Sequence, residues 1–251
     1  MPVIWGLDLK EIHPRKFKHS YMFAKTYHLQ RIKFIIYQAA MILCVVGESL
    51  ITSSIDDYIK QERAVRGIDK QIQYHNNDIV GIGSYTIFCG VAVATVFGAG
   101  FFFDLFWPER HESKLVKLAW RYSAVFVTVA LLADCLAQTV IVARGSVHVT
   151  GVDEATKQLA LAAYPTPPLR FRDYGRSVAS CVFLWVGWVF TVYSTILLWQ
   201  SYAYNARWGS PKARHVREAE KGFSPGEDGA HDLSIPTESS STGALRAEEA
   251  V

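Results

Sequence analysis

Four long stretches of the chain are apolar almost throughout, and the polar residues crowd into the segments between them. The stretches run Phe34–Ser53, Val80–Trp107, Leu118–Ala143 and Val178–Trp199. Each is long enough to cross a hydrocarbon core as a helix, which takes ~20 predominantly apolar residues. The chain has nine prolines and none of them falls inside these stretches. In lipid an unsatisfied backbone group is expensive and proline removes a hydrogen bond, so this distribution is what spanning helices need. Buried helices of a soluble domain have no reason to be this long and this free of proline. The pattern predicts an all-α fold, a four-helix transmembrane bundle, with a disordered C-terminal tail.

The segments divide the chain into three parts. Residues 1–32 form a basic cytosolic N-terminal segment, 33–203 the four-span domain, and 204–251 a basic juxtamembrane segment and tail. The first long connection carries Ile55, Ile59, Val65, Ile68 and Ile72 at helical spacing. It reads as a short amphipathic helix that lies on the membrane or extends the first span. The second long connection holds an Ala/Leu-rich stretch near Leu159–Ala163, then Tyr164 to Pro168, whose prolines favour extended backbone. From Gly209 on, Gly, Ser, Glu and Pro dominate and large apolar residues are few, which predicts disorder. Within it, the Ser/Thr run Thr237 to Thr242 beside acids is a candidate for phosphorylation.

Net charge is only +3, but its placement sets an orientation. Lys10, Arg15, Lys16, Lys18, Lys25, Arg31 and Lys33 precede the first span. Arg110, Lys114 and Lys117 lie in the short second connection, and Arg207, Lys212, Arg214, Arg217 and Lys221 follow the fourth span. Basic residues mark the cytosolic side, so both termini and the short connection are expected there. The basic residues of the first long connection are diluted by Asp56, Asp57, Glu62, Asp69 and Asp78. Arg170, Arg172 and Arg176 run against the rule. Aromatic residues at the block ends (Tyr37, Trp107, Trp120, Trp199 and Tyr202 at one level, Tyr58, Tyr74, Tyr85 and Tyr174 at the other) form the expected interfacial belts. Residues 1–27 lack a continuous apolar core, so the first span is expected to act as an uncleaved anchor.

Cys44, Cys89, Cys135 and Cys181 fall one in each block, as small buried apolar residues rather than a disulfide framework. All eight histidines lie outside the blocks, which disfavours haem or metal held between spans. No phosphate-binding loop, HExxH, GxSxG or dinucleotide-binding glycine pattern is present. No catalytic residue, metal site or cofactor is expected, and no nucleic-acid partner.

Five features carry candidate function. Glu48 and Asp134 lie at matching depth on the first and third spans, and an acid at membrane depth is a functional hypothesis by default. If they face each other they would hold fewer than two negative charges and form a proton- or cation-binding site. The structural alternative is hydrogen bonding to Ser49, Gln138 or Thr139. Asp104 and Arg121 sit at similar depth and are expected to pair, locking the second hairpin. Gly90, Ala94 and Gly98 are four apart and make a flat face, for packing within the chain or against a second copy. Arg207, Lys212, Arg214 and Arg217 suit an anionic leaflet, at ~1 kcal/mol per basic residue near the surface. Trp185, Trp188, Val192, Thr195 and Trp199 share one face of the fourth span, toward lipid or toward a neighbouring helix.

Four spans with cytosolic termini and a short inner connection resemble the tetraspan membrane proteins. With no cysteine in either long connection, a claudin- or tetraspanin-type disulfide ectodomain does not fit. The layout from Tyr27 to Trp208, with Leu29-Gln-Arg-Ile ahead of a first span ending in Gly47 to Thr52, is similar to the MARVEL-type four-helix proteins, including those common in fungi. Long outer connections depart from that compact pattern. The resemblance implies a non-enzymatic protein that organises membrane or partner proteins, with lipids, itself or other membrane proteins as partners. The alternative is a small proton- or cation-coupled transporter or channel using the intramembrane carboxylates.

Overall fold

The computed structural model describes residues 3–4, 7–8, 11–209 and 211–222. Near the N-terminus, β1 (Val3–Ile4) and β2 (Leu7–Asp8) pair antiparallel, and a 3-10 turn at Pro14–Phe17 leads into α1 (His19–Met22). Four long helices follow: α2 (Gln30–Ile68), α3 (Asn77–Phe106), α4 (Lys114–Arg144) and α6 (Gly175–Trp208). All four are long and apolar enough to cross a membrane. The chain is an integral, multi-pass membrane protein built as an all-α four-helix bundle.

Each helix is longer than its apolar block, although α3 stops one residue short of Trp107, because polar residues at the block ends are as competent to stay helical as apolar ones once water is available. The excess is greatest in α2. Its 39 residues span about 58 Å at 1.5 Å per residue, nearly twice the ~30 Å of hydrocarbon. Of the two arrangements the sequence allows for Ile55–Ile68, the structure takes the extension of the first span.

The bundle is a square in which α2 packs on α3 and α6, and α4 packs on the same two helices. Two apolar cores fill it. One, around Phe34, Tyr37, Phe97, Phe101, Leu131 and Leu184, lies toward the end where the N-terminal segment sits (the terminal end). The other lies toward the long connections (the loop end). There β3 (Gln73–His75) pairs antiparallel with β4 (His148–Thr150), in the register Tyr74↔Val149, and joins the two connections. Beside it α5 (Glu154–Ala163) starts at Asp153, whose carboxylate accepts from the Thr156 amide, and buries Ala160. Residues Tyr58, Val65, Ile72, Tyr74 and Phe171 complete this second core.

The loop end is also tied by polar groups. Gln61 donates to the Tyr164 and Pro167 carbonyls, each at 2.9 Å, and accepts from the buried Tyr74 hydroxyl. Burial pushes that hydroxyl well above its ordinary range, so it stays a donor. Asp57 accepts from both Tyr174 and Arg176. Burial and the Asp57 carboxylate push the Tyr174 hydroxyl up to about 12. Thus Arg176 of α6, which runs against the charge rule, is neutralised by Asp57 of the adjacent helix α2.

At the terminal end the N-terminal segment is fastened to the bundle. Lys16 donates to the Phe106 carbonyl at 2.6 Å, Tyr27 pairs with Lys212, and His28 stacks on Tyr204 with ring centroids 3.8 Å apart. Gly209 ends α6 in the left-handed conformation, φ 67°, which glycine adopts at little cost. Disorder was expected from here on. Instead α7 (Arg214–Gly222), a separate unit, forms with Arg214 and Glu218 paired one turn apart at 2.7 Å. The rest of the tail, including the Ser/Thr run, lies outside the described residues.

Candidate functional site: polar groups of the bundle and its terminal end

Asp134 is completely buried on α4. Its Oδ1 accepts from the Thr86 hydroxyl of α3 at 2.8 Å, while Oδ2 has no hydrogen-bond partner. The same hydroxyl lies 3.4 Å from Gln138 Oε1, one turn along α4 from Asp134. Gln138 Nε2 donates to Ser180 Oγ of α6 at 2.9 Å, and Ser180 donates to the Gly47 carbonyl of α2 at 2.7 Å. All four spanning helices therefore contribute to one buried polar chain. One turn outward, Ser54 and Ser177 bond at 2.7 Å; further in, Thr128 and Thr195 bond at 2.8 Å. Interhelical bonds of this kind are worth about 0.6 kcal/mol each on average in membranes and up to about 1.7. They also specify which helix faces which.

Glu48 does not join this chain. It is half-buried on α2 and its side chain lies over Gly90 of α3, with no hydrogen bond or ion pair to Asp134. The two acids share a depth, yet α2 and α4 stand diagonally across the square, with α3 and α6 between them. Ser49 is not a partner either, since its hydroxyl returns to the Val45 carbonyl of its own helix. Thr139 likewise bonds back to Cys135 and receives the Trp185 indole N–H at 3.0 Å.

Gly83, Gly90 and Gly98 all face α2, against Ile55, Glu48 and Met41 respectively; Ala94 is half-buried between the last two. This face is used for packing within the chain. The glycines that meet the backbone of another helix lie elsewhere, between α2 and α6. A Cβ on Gly187 would come within 2.9 Å of Cys44 Sγ and 3.3 Å of its backbone nitrogen. One on Gly47 would meet Leu184 Cγ at 2.9 Å. Both glycines stand alone in their blocks and lack the four-residue repeat of α3.

The expected Asp104–Arg121 pair does not form. Asp104 is met by Lys33 of α2, and by Arg110 at 3.0 Å, which folds back from the short connection. Arg110 also pairs with Glu112. Burial alone would disfavour its cation, but Asp104 and Glu112 outweigh that and hold the guanidinium protonated. Arg121 instead lies against α6, its guanidinium 5.3 Å from the ring centroids of both Trp199 and Tyr202. Two nearer cations satisfied Asp104, and sequence depth could not reveal them. Lys33 is only 7% exposed, the least accessible lysine among the described residues.

The basic stretch after α6 is not uniformly turned to lipid. Arg207 is exposed, but Lys212 lies 3.8 Å from Glu109 and Arg214 is spent on Glu218. Arg217 is half-buried in α7. Compared with known protein families, curated proteins and solved structures, the chain matches none.

Proposed function

We propose that this is a non-enzymatic four-span protein that organises partner proteins in the membrane, of MARVEL-like architecture, with both termini in the cytosol. The observation that carries the reading is how the polar groups of the bundle are used. Thr86, Asp134, Gln138 and Ser180 bond one another and the Gly47 carbonyl across all four helices, an arrangement that holds a shape. The loop end adds a second core, a sheet and a helix, which raise a folded surface beyond the spans. On it Leu159 is 69% exposed. A photo-crosslinking residue at Leu159 should capture a protein neighbour in native membranes, whereas one at the exposed Val129 of α4 should capture lipid. Recovery of uncrosslinked monomer alone from a set of loop-end positions would remove the organising role.

The orientation rests on the basic residues flanking the first and fourth spans. Tags at Met1 and Val251 should be open to protease from the cytosol, and tags at Gln73 and Lys157 protected in sealed microsomes. Protection of the Val251 tag would reverse it.

A second reading, proton or cation transport, keeps one observation in its favour. Asp134 Oδ2 is buried without a hydrogen bond, and the half-buried Glu48 carboxyl has none among the described residues. Transport would need those groups to take up and release the ion during turnover.

A further inference from the structure

A cavity of about 220 Å³ opens at the terminal end between the short connection, α4 and the end of α6. Its lining carries Lys33, Arg110, Lys117 and His111 against Asp104, Glu109 and Glu112. The acids are already committed. Asp104 is held by Lys33 and Arg110, Glu112 by Arg110 and the Tyr202 hydroxyl, and Glu109 by Tyr27 at 3.2 Å and Lys212 at 3.8 Å. What is left over is cationic and donating. Among the described residues, Lys117 makes no ion pair, and His111, the Trp120 indole N–H and the Asn205 amide make no side-chain hydrogen bond. Against the cavity wall, Tyr202 carries the Arg121 guanidinium on its face. Among the described residues that cation has no acid partner, and its Nε is buried without a hydrogen bond. The lining residues thus balance in formal charge, and Arg121 beside them adds a positive charge.

Half-buried cations at the level where a span meets the headgroups attract one kind of ligand. We infer that this cavity binds a phosphate-bearing anion, held by Lys117 and Arg121 with Trp120, His111 and Asn205 as neutral donors. The exposed Trp199, over which Arg121 also lies, borders the lipid beside it. The phosphate can therefore come from a lipid headgroup or from a free anion.

The test uses the full chain in a neutral detergent, melted with dioctanoyl phosphatidic acid, dioctanoyl phosphatidylcholine or inorganic phosphate. We expect the acidic lipid to raise the melting temperature saturably and the zwitterionic lipid to act much more weakly. The Lys117→Gln/Arg121→Gln variant should bind the acidic lipid roughly ten-fold or more weakly, at ~1 kcal/mol per basic residue. Lys114→Gln, an exposed lysine outside the lining, should bind as wild type. Lys117→Gln alone, on a half-buried side chain, keeps the test open should the double variant fail to fold, and is expected to bind several-fold more weakly. Saturation by inorganic phosphate at the same concentration would assign the site to a free anion; response to lipid alone would assign it to a headgroup. Equal shifts from both lipids, or unchanged affinity in the Lys117 variants, would overturn the site.

Discussion

Replacing Asp104 with alanine is expected to be among the most damaging single changes to the bundle, costing about 3–5 kcal/mol. Asp104 is the counter-ion of Lys33, which is buried among α2, α3 and α6, with Ser201 Oγ 3.3 Å from its ammonium. Arg110 keeps Glu112 when Asp104 is lost, but Lys33 keeps only neutral partners, the Ser201 hydroxyl and the Tyr37 ring. The cost is therefore that of a stranded cation rather than of a missing attraction. It follows that removing the cation as well should recover much of the loss. Lys33→Met combined with Asp104→Leu should melt well above Asp104→Ala, since a buried pair replaced by apolar residues of similar volume is often close to neutral. Melting of the purified protein in one detergent measures all three. An Asp104→Ala variant within about 0.5 kcal/mol of wild type, the range of ordinary surface changes, would show that Lys33 is not buried as described.

Gly187→Leu should be comparably harmful for a steric reason. The atoms it would meet include the Cys44 backbone nitrogen at 3.3 Å from the first added carbon, and backbone cannot rotate away. Overpacking a well-filled core costs about 1–3 kcal/mol, and here the strain is relieved only by moving α6 from α2. That movement would break the 2.7 Å bond from Ser180 to the Gly47 carbonyl and with it the polar chain. Gly98→Leu should be milder, because the neighbour there is the flexible end of Met41, and Gly81→Leu milder still, with nothing within 4 Å. A cysteine-free variant carrying a new cysteine pair across α2 and α6 reports the separation by crosslinking. If Gly187→Leu and Gly81→Leu melt and crosslink alike, the α2–α6 contact is not close.

The helices were legible because lipid imposes length and excludes proline, and both constraints are one-dimensional. Depth was legible too: Glu48 and Asp134, or Asp104 and Arg121, could be set at one level by counting residues. Direction around the helix axis was not. It depends on which helices are neighbours, and the diagonal placement of α2 and α4 sends Glu48 to the Gly90 notch while Asp134 meets Thr86. Asp104 shows the same limit, since Arg110 reaches it only because the chain folds back after Trp107. Thr86 and Ser180, the two hydroxyls that join α3 and α6 to Gln138 and Asp134, are small polar residues with no local signature. The β3–β4 pairing joins segments more than seventy residues apart, and neither strand exceeds three residues. Gln138, by contrast, was readable as the long amide one turn from Asp134, and it is the residue that carries the chain from α4 to α6.

Reconstitution into sealed vesicles bears most directly on whether the buried polar chain holds a shape or passes a charge. With a pH or cation gradient imposed, we expect no protein-dependent flux for wild type. Asp134→Asn should fold and remain inactive in the same assay, because an amide can bond Thr86 from the same position. A gradient-driven flux through wild type, abolished by Glu48→Gln or Asp134→Asn in protein that melts normally, would contradict the organising role and establish transport in its place.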